Sequence, residues 1–269
     1  MAVIGTNLAA SSAVFYLNQN NAGLTKTIKE LSSGSRLSDP SADAAGVAVS
    51  GNLVARIGRL GAASNSVKDV VSMAQTVDGF LSTIQTELTR MSELAQESTN
   101  GAFGTADLAN YNTEFVKLAT QIGNIASNAT FDGQTLFTAG SVTVGINSDN
   151  VTDSFSLSTI GSLSSLALTT SSIGDTVSAS TALSAVGSAI TCITTQRAKV
   201  NADVSKFNFY VTNIETEKNN LTAANSNVSD LDMAAQSTNL SKYNILVQAA
   251  TASLAQANSS QQAVLSLLH

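Results

Sequence analysis

The stretch LSAVGSAITCITTQRAKVNADVSKFNFYVTNIETEKNNLTAANSNV, from Leu183 to Val228, decides the fold. It contains no Pro and a single Gly, and two of its positions recur every seven residues. A heptad pattern sustained over this length predicts one long amphipathic helix, roughly 70 Å at 1.5 Å per residue. The first position holds Val186, Ile193, Val200, Phe207, Ile214, Leu221 and Val228; the second holds Leu183, Ile190, Arg197, Val204, Val211, Lys218 and Asn225.

A helix of this length needs equally long partners to bury its seam, and two earlier segments are predicted to supply them. The segments Ala44–Thr99 and Thr105–Ala129 carry the same spacing, and Asn100-Gly101 predicts the turn between them. We expect an antiparallel hairpin that joins the later helix in one bundle. The apolar positions are Leu53, Leu60, Val67, Ala74, Leu81, Leu88 and Ala95, then Ala63, Val70, Val77, Ile84 and Met91, and finally Leu108, Tyr111, Phe115, Leu118, Ile122, Ile125 and Ala129.

The two ends of the chain predict a matching pair of thinner helices, Met1 to about Leu31 and Asp230 to His269. Small and amide side chains occupy many of their heptad positions, so we expect each helix to be poorly ordered until it finds a partner. The N-terminal positions are Val3, Ala10, Leu17, Leu24 and Leu31, with Asn7, Val14, Asn21 and Ile28 between them; the C-terminal ones are Leu240, Val247, Leu254, Gln261 and Leu268, with Tyr243, Ala250, Ala257 and Val264.

Two irregular regions separate these helices. Residues 32–43 contain Pro40, the sole proline, and predict a linker. Alternating apolar and polar residues at Val142–Ile146 and Ser154–Ser158 predict a small β-hairpin region. The predicted fold is mainly α: an elongated antiparallel helical bundle or coiled-coil rod with that hairpin region, and a core domain of paired terminal helices. Its segments are 1–43, 44–181, 182–229 and 230–269.

Composition argues against several classes of function. The 269 residues carry a net charge of −6 without a Lys/Arg cluster, so nucleic-acid binding is not expected. His269 is the single histidine and Cys192 the single cysteine, and we expect no enzyme activity, no cofactor and no bound metal. The N-terminus lacks the pattern of a cleaved signal peptide. The sequence contains no apolar run of about 18 residues, so no membrane span is predicted.

Several stretches resemble bacterial flagellin. Each is weak alone, but together they occur in the family's order and cover about three quarters of the chain. They are Leu31-Ser32-Ser33-Gly34-Ser35-Arg36-Leu37, Asp43-Ala44-Ala45-Gly46-Val47-Ala48-Val49, Gln75-Thr76-Val77-Asp78-Gly79-Phe80-Leu81, Glu93-Leu94-Ala95-Gln96, Phe131-Asp132-Gly133, Asp230-Leu231-Asp232-Met233-Ala234, Leu254-Ala255-Gln256-Ala257-Asn258 and Val264-Leu265-Ser266-Leu267-Leu268.

Departures from the family pattern concern charges. Glu30 stands where an Arg is usual, Asn225 and Asn227 replace a usual Arg pair, and Gln236 replaces a usual Glu. These changes put particular salt bridges between subunits in doubt. The middle of the chain is also short, which resembles a form without outer variable domains.

The resemblance implies a subunit that assembles with itself into the extracellular flagellar filament of swimming bacteria, exported without a cleaved signal peptide. It implies an export chaperone, hook-associated proteins and cap proteins as partners. The terminal helices would form the filament core. The core residues implied are Val3, Ala10, Val14, Leu17, Leu24, Leu31, Leu240, Val247, Leu254, Val264, Leu265 and Leu268.

A host Toll-like receptor is a further partner implied by the resemblance. The positions that match its contacts in recognised flagellins are Arg90, Leu94 and Glu114.

Three alternatives stand beside the filament subunit. A hook–filament junction protein shares the paired terminal helices, and the flagellin-like C-terminal end favours the filament over it. A signalling coiled coil would need a membrane span or a sensor domain. An enzyme would need a convergent cluster of reactive side chains, and the sequence predicts none.

Overall fold

The fold is mainly helical, as predicted. In a computed structural model of the chain, residues 7–137, 140–147, 149, 151–157 and 172–266 are described. They form five helices and two antiparallel sheets of two strands each. The helices are α1 (Leu8–Ser33), α2 (Ala44–Ser98), α3 (Thr105–Asn128), α4 (Thr176–Ser229) and α5 (Met233–Ser266); the strands are β1 (Thr130–Phe131), β2 (Gln134–Thr135), β3 (Gly140–Gly145) and β4 (Thr152–Leu157).

The chain divides into two compact units. Unit 1 comprises Met1–Arg56 and Asn219–His269, and unit 2 comprises Ile57–Lys218. The helices α2 and α4 contribute residues to both units.

Unit 2 has a densely buried core. On α2 the predicted heptad positions from Leu60 to Ala95 are buried with one exception, Ala63, which is half-buried. On α3, Leu108, Phe115 and Ile122 are buried at the predicted spacing. Phe207 on α4 is fully buried, and its ring meets Phe155 of β4 edge-on at 6.5 Å between centroids. The hairpin region is therefore packed onto the helical core.

The second seam position on α4 differs from the prediction by one residue. The structure buries Ala182, Ala189 and Gln196, whereas Leu183, Ile190 and Arg197 are half-buried. Small side chains allow the closest approach of neighbouring helices, and the larger ones flank that contact. The apolar pattern predicted the correct face of the helix. It assigned the large side chains to the buried position, which small side chains occupy in the structure.

The start of α4 also lies earlier than the predicted Leu183. Asp175 precedes the helix, and its carboxylate accepts hydrogen bonds from the backbone N–H of Val177 and Ser178, at 3.1 and 2.9 Å. These bonds hold the pKa of Asp175 below its usual value. This N-cap satisfies free amide groups of the first turn and extends the helix to Thr176.

The strands confirm the predicted hairpin and add a second one. β3 pairs with β4 so that Val142 faces Phe155. The short β1–β2 hairpin turns through Asp132 and Gly133 at φ of 48° and 76°. Positive φ at both residues is the geometry of a tight two-residue hairpin turn, which an Asp-Gly pair favours.

A polar contact fixes α2 against α4. Arg197 donates from Nε and Nη2 to the two carboxylate oxygens of Asp78, at 2.9 and 3.2 Å, and from Nη1 to Gln85 at 2.8 Å. These three hydrogen bonds tie one position of α4 to α2 and so favour a single register between the two helices. The same hydrogen bond holds the pKa of Asp78 below its usual value.

Part of α4 is long and apolar enough, by length and composition alone, to cross a membrane. Core helices of soluble proteins pass the same test, and α4 buries Val186, Ile193 and Val200 in unit 2. The expectation of no membrane span stays a prediction.

Replacing Phe207 by Ala is expected to lower the free energy of unfolding of unit 2 by about 3–5 kcal/mol, because it leaves a large cavity. Phe209→Ala, two residues away and 63% exposed, is the matched control and should change it by less than about 0.5 kcal/mol. Urea unfolding followed by circular dichroism measures both. Equal effects would contradict the described packing.

Asp78→Asn is expected to destabilise unit 2 by about 1–3 kcal/mol at neutral pH. Because the folded pKa of Asp78 is lowered, its stabilisation is present above the unfolded pKa of about 4 and is lost as the pH falls below it. The difference between wild type and variant should therefore shrink towards pH 2–3. Glu97→Gln, an exposed carboxylate near the end of α2, is the control. A difference independent of pH would contradict this assignment.

Candidate assembly surface

The candidate site is the pair of terminal helices. α1 packs against α5 within unit 1. Asn7 donates to the backbone oxygen of Ala257 at 3.0 Å near one end, and Gln236 donates to Glu30 near the other. Between them, Gly23 lies against the ring of Tyr243. The partners' numbers rise along one helix and fall along the other, so the pair is antiparallel, as the sequence predicted.

The predicted core residues face the partner helix without being enclosed by it. Seven of them are half-buried: Ala10, Leu17, Leu24, Leu31, Leu240, Val247 and Leu254. Val14 is 40% exposed, and the residues one position earlier in each heptad, Ala13, Asn20 and Thr27, take the inward side instead. Val3 and Leu268 lie outside the described residues, and so do the side chains of Val264 and Leu265.

Large apolar side chains on the outer faces of the pair remain exposed. Leu8 is 82% exposed, Phe15 64% and Ile245 65%. Phe15 and Tyr16 form an edge-to-face ring contact that is itself open to solvent. The heptad pattern did not predict a role for Phe15, Tyr16 or Ile245, because they lie outside the two seam positions. Their size and apolar character were the available signal.

Glu30 and Gln236 form a polar contact inside the pair. Glu30 is only 7% exposed, and Lys26 lies 3.8 Å from its carboxylate. Both residues depart from the usual family charges. The structure pairs them with each other within one chain.

The residues matched to receptor contacts lie together on α2 and α3. Arg90 Nε donates to Glu114 at 2.9 Å and its Nη1 donates to Glu93 at 3.1 Å, which raises the pKa of Arg90. Arg90 and Glu114 are exposed, whereas Leu94 is fully buried. A partner molecule can therefore reach the ion pair, whereas the side chain of Leu94 is not accessible to it.

Clusters of metal-ligating side chains were sought in residues 7–137, 140–147, 149, 151–157 and 172–266. No group of three or more His, Cys, Asp or Glu side chains converges there in a way that could hold a metal ion.

Family models match both ends of the chain. The bacterial flagellin N-terminal helical region matches residues 4–143, and the C-terminal helical region matches residues 183–268. The chain belongs to the bacterial flagellin family. Relatives within the family are similar over 99% of both chains: the flagellar filament 33 kDa core protein of Treponema phagedenis at 32% identity, flagellin of Listeria monocytogenes at 30%, and flagellin of Halalkalibacterium halodurans at 34%.

A solved flagellin shares the fold. The crystal structure of Bacillus cereus flagellin superposes with a TM-score of 0.52 at 22% identity, over 60% of this chain and 94% of that one. The resemblance to the flagellin family stated from the sequence motifs is thereby confirmed. The full-length match to these flagellins is consistent with a chain without large outer domains.

Proposed function

We propose that this chain is the structural subunit of a bacterial flagellar filament, a helical homopolymer that serves swimming motility outside the cell. The observation that carries the proposal is the α1–α5 pair, which leaves Leu8, Phe15 and Ile245 exposed. Single exposed apolar residues are common, but a pair of helices whose seam is only half-buried has unused apolar surface along its length.

Further copies of the same chain are the occupants that fit this surface. The full-length relatives named above are flagellins and a flagellar filament core protein. A repeated contact between different faces of identical chains that does not close produces an open helix. The hook–filament junction alternative has no comparable support, since none of those names refers to a junction protein.

The mechanism that follows is folding coupled to assembly. Ordering a helix residue costs roughly 1–2 kcal/mol of backbone entropy, and a half-buried seam offsets little of that cost. Burial of the outer faces against neighbouring subunits supplies the rest of the free energy needed to order the helices. The role is structural, and the proposal includes no catalytic step.

Export and handling complete the proposal. An export chaperone would hold the exposed C-terminal helix before secretion, and hook-associated and cap proteins would contact the ends of the polymer. The N-terminal region would stay uncleaved. Intact mass of protein sheared from cells tests the last point, because cleavage would remove a defined mass.

A chain lacking residues 230–269 is expected to remain a soluble monomer with unit 2 folded, because α1 loses its partner and assembly loses one of its two core helices. Circular dichroism and size-exclusion chromatography measure the monomer, and negative-stain electron microscopy after salting-out measures assembly. Growth of filaments from the truncated chain would contradict the proposal.

Phe15→Asp is expected to abolish polymerisation while leaving the unfolding of unit 2 unchanged, because it places a charge on the surface that assembly buries. Phe15→Tyr is the matched control and should still polymerise. Sedimentation of assembled material distinguishes the two variants. Normal filaments from Phe15→Asp would show that this face is not buried in the polymer.

Recognition by a host Toll-like receptor is a second proposed interaction, supported by the exposed Arg90–Glu114 pair. Monomer is expected to activate reporter cells that express the receptor, and Arg90→Ala with Glu114→Ala should reduce the response at least tenfold. Glu97→Ala, an exposed carboxylate on the same helix as Arg90, is the control. No response to wild-type monomer would reject this interaction.

A further inference from the structure

The register of the α1–α5 pair is poorly specified by its apolar residues. On both helices the half-buried seam repeats every seven residues with side chains of similar kind, from Ala10 to Leu31 and from Leu240 to Leu254. Sliding α5 by one heptad, about 10 Å, would bring equivalent residues opposite each other again. Repeats of this kind permit alternative registers unless another contact forbids them.

One such contact lies at the end of the pair where α1 ends and α5 begins. Beyond the end of α1, the backbone N–H of Arg36 donates to the oxygen of Ser229 at 2.8 Å, and the N–H of Leu231 donates to the oxygen of Gly34 at 3.2 Å. These two bonds make an antiparallel bridge between Ser35 and Asp230, here called the Ser35–Asp230 bridge.

Side chains reinforce the bridge. Ser35 Oγ donates to the oxygen of Ser229 at 3.2 Å, and Arg36 Nη2 donates to that of Val228 at 3.0 Å. These carbonyls belong to the last turn of α4, where no later helical N–H is available to them. Gly34 adopts φ 67° to turn the chain towards them. The bridge therefore supplies hydrogen-bond donors to carbonyl groups at the C-terminal end of α4 that have no partner within the helix.

The bridge lies within one residue of the register of the helices. The residue numbers of facing partners sum to 265 at Ser35–Asp230, and to 266 at both Glu30–Gln236 and Gly23–Tyr243. Three residues, Asp230–Asp232, separate α4 from α5. So short a connection cannot absorb a slide of about 10 Å while the bridge is closed.

The Gly23–Tyr243 contact excludes other registers by size. A Cβ added at position 23 would lie 2.5 Å from Tyr243 Cε1, closer than side chains tolerate. A one-heptad slide would place Tyr243 opposite Glu30, which would then lose the amide donor of Gln236. A carboxylate kept from water without that donor is costly.

We propose that the Ser35–Asp230 bridge, the Glu30–Gln236 contact and the Gly23–Tyr243 contact together form a register lock for the terminal helices. The lock selects one of several heptad-related pairings of α1 with α5. It concerns pairing within one chain, so it does not depend on the filament function proposed above.

The test uses paired cysteines in the full chain with Cys192→Ser. Thr27→Cys with Leu240→Cys reports the native register, and Thr27→Cys with Val247→Cys reports a slide of one heptad, because Leu240 and Val247 occupy equivalent seam positions. Disulfide yield under mild oxidation is measured in monomer and in salted-out material. Wild-type contacts should give mainly the native pair.

Two variants open the lock. Leu231→Pro removes the N–H that donates to Gly34, and Gly23→Leu fills the space beside Tyr243; each should raise the ratio of slid to native disulfide at least several-fold. Leu231→Ala keeps that N–H, and Ala22→Leu adds the same bulk at an exposed neighbour, so both controls should keep the wild-type ratio.

Three results would overturn the proposal. An unchanged ratio in both variants would mean that the seam itself selects register. Loss of both disulfides would mean that these contacts hold the helices together rather than choose between pairings. A chain with wild-type contacts that forms neither disulfide, in either state, would mean that the described pairing does not occur. A chain that forms no filament still gives a readable ratio as monomer.

Discussion

Burial of small side chains on α4 is the constraint on which unit 2 depends. Ala182 and Ala189 are buried on α4, where small side chains permit neighbouring helices to approach closely. On the same helix, the ring of Phe207 packs edge-on against Phe155 of the β3–β4 hairpin. Close approach limits which polar groups fit between the helices, and Arg197 fits because its planar group meets both oxygens of Asp78. Packing and register in this unit therefore reinforce each other.

Unit 1 relies less on apolar burial and more on polar and steric contacts than unit 2 does. Its seam residues are half-buried, and the contacts that identify partners are polar or steric: Glu30 with Gln236, Ser35 with Asp230, and Tyr243 over Gly23. A weak apolar seam fits the proposal that these helices gain their remaining burial from neighbouring subunits. Polar contacts then supply the specificity that the seam lacks.

The sequence predicted helix positions well because burial generates periodicity directly. The ends of α2 and α3 were within one residue of the structure, since Gly and Asn mark them in the sequence. The start of α4 was missed because Asp175, a polar cap, contributes nothing to an apolar pattern. The shift from Leu183 to Ala182 has a related cause: close packing selects small residues, and periodicity gives them little weight.

The candidate site was predicted less completely, for physical reasons. The Ser35–Asp230 bridge joins residues nearly two hundred positions apart through backbone groups, which every residue possesses, so no side chain announces it. Leu94 illustrates the limit of motif matching: the motif placed it with Arg90 and Glu114, but the helix turns its side chain into the core. Which way a residue faces follows from the packing of all helices together.

The Arg197–Asp78 pair has a mechanical consequence. Apolar helix surfaces resist separation but oppose sliding only weakly, because each position along the seam resembles the next. Two parallel hydrogen bonds on one carboxylate, with a third to Gln85, must all stretch when α4 moves along α2. The pair thus opposes shear between α2 and α4 in a way that the apolar seam alone does not.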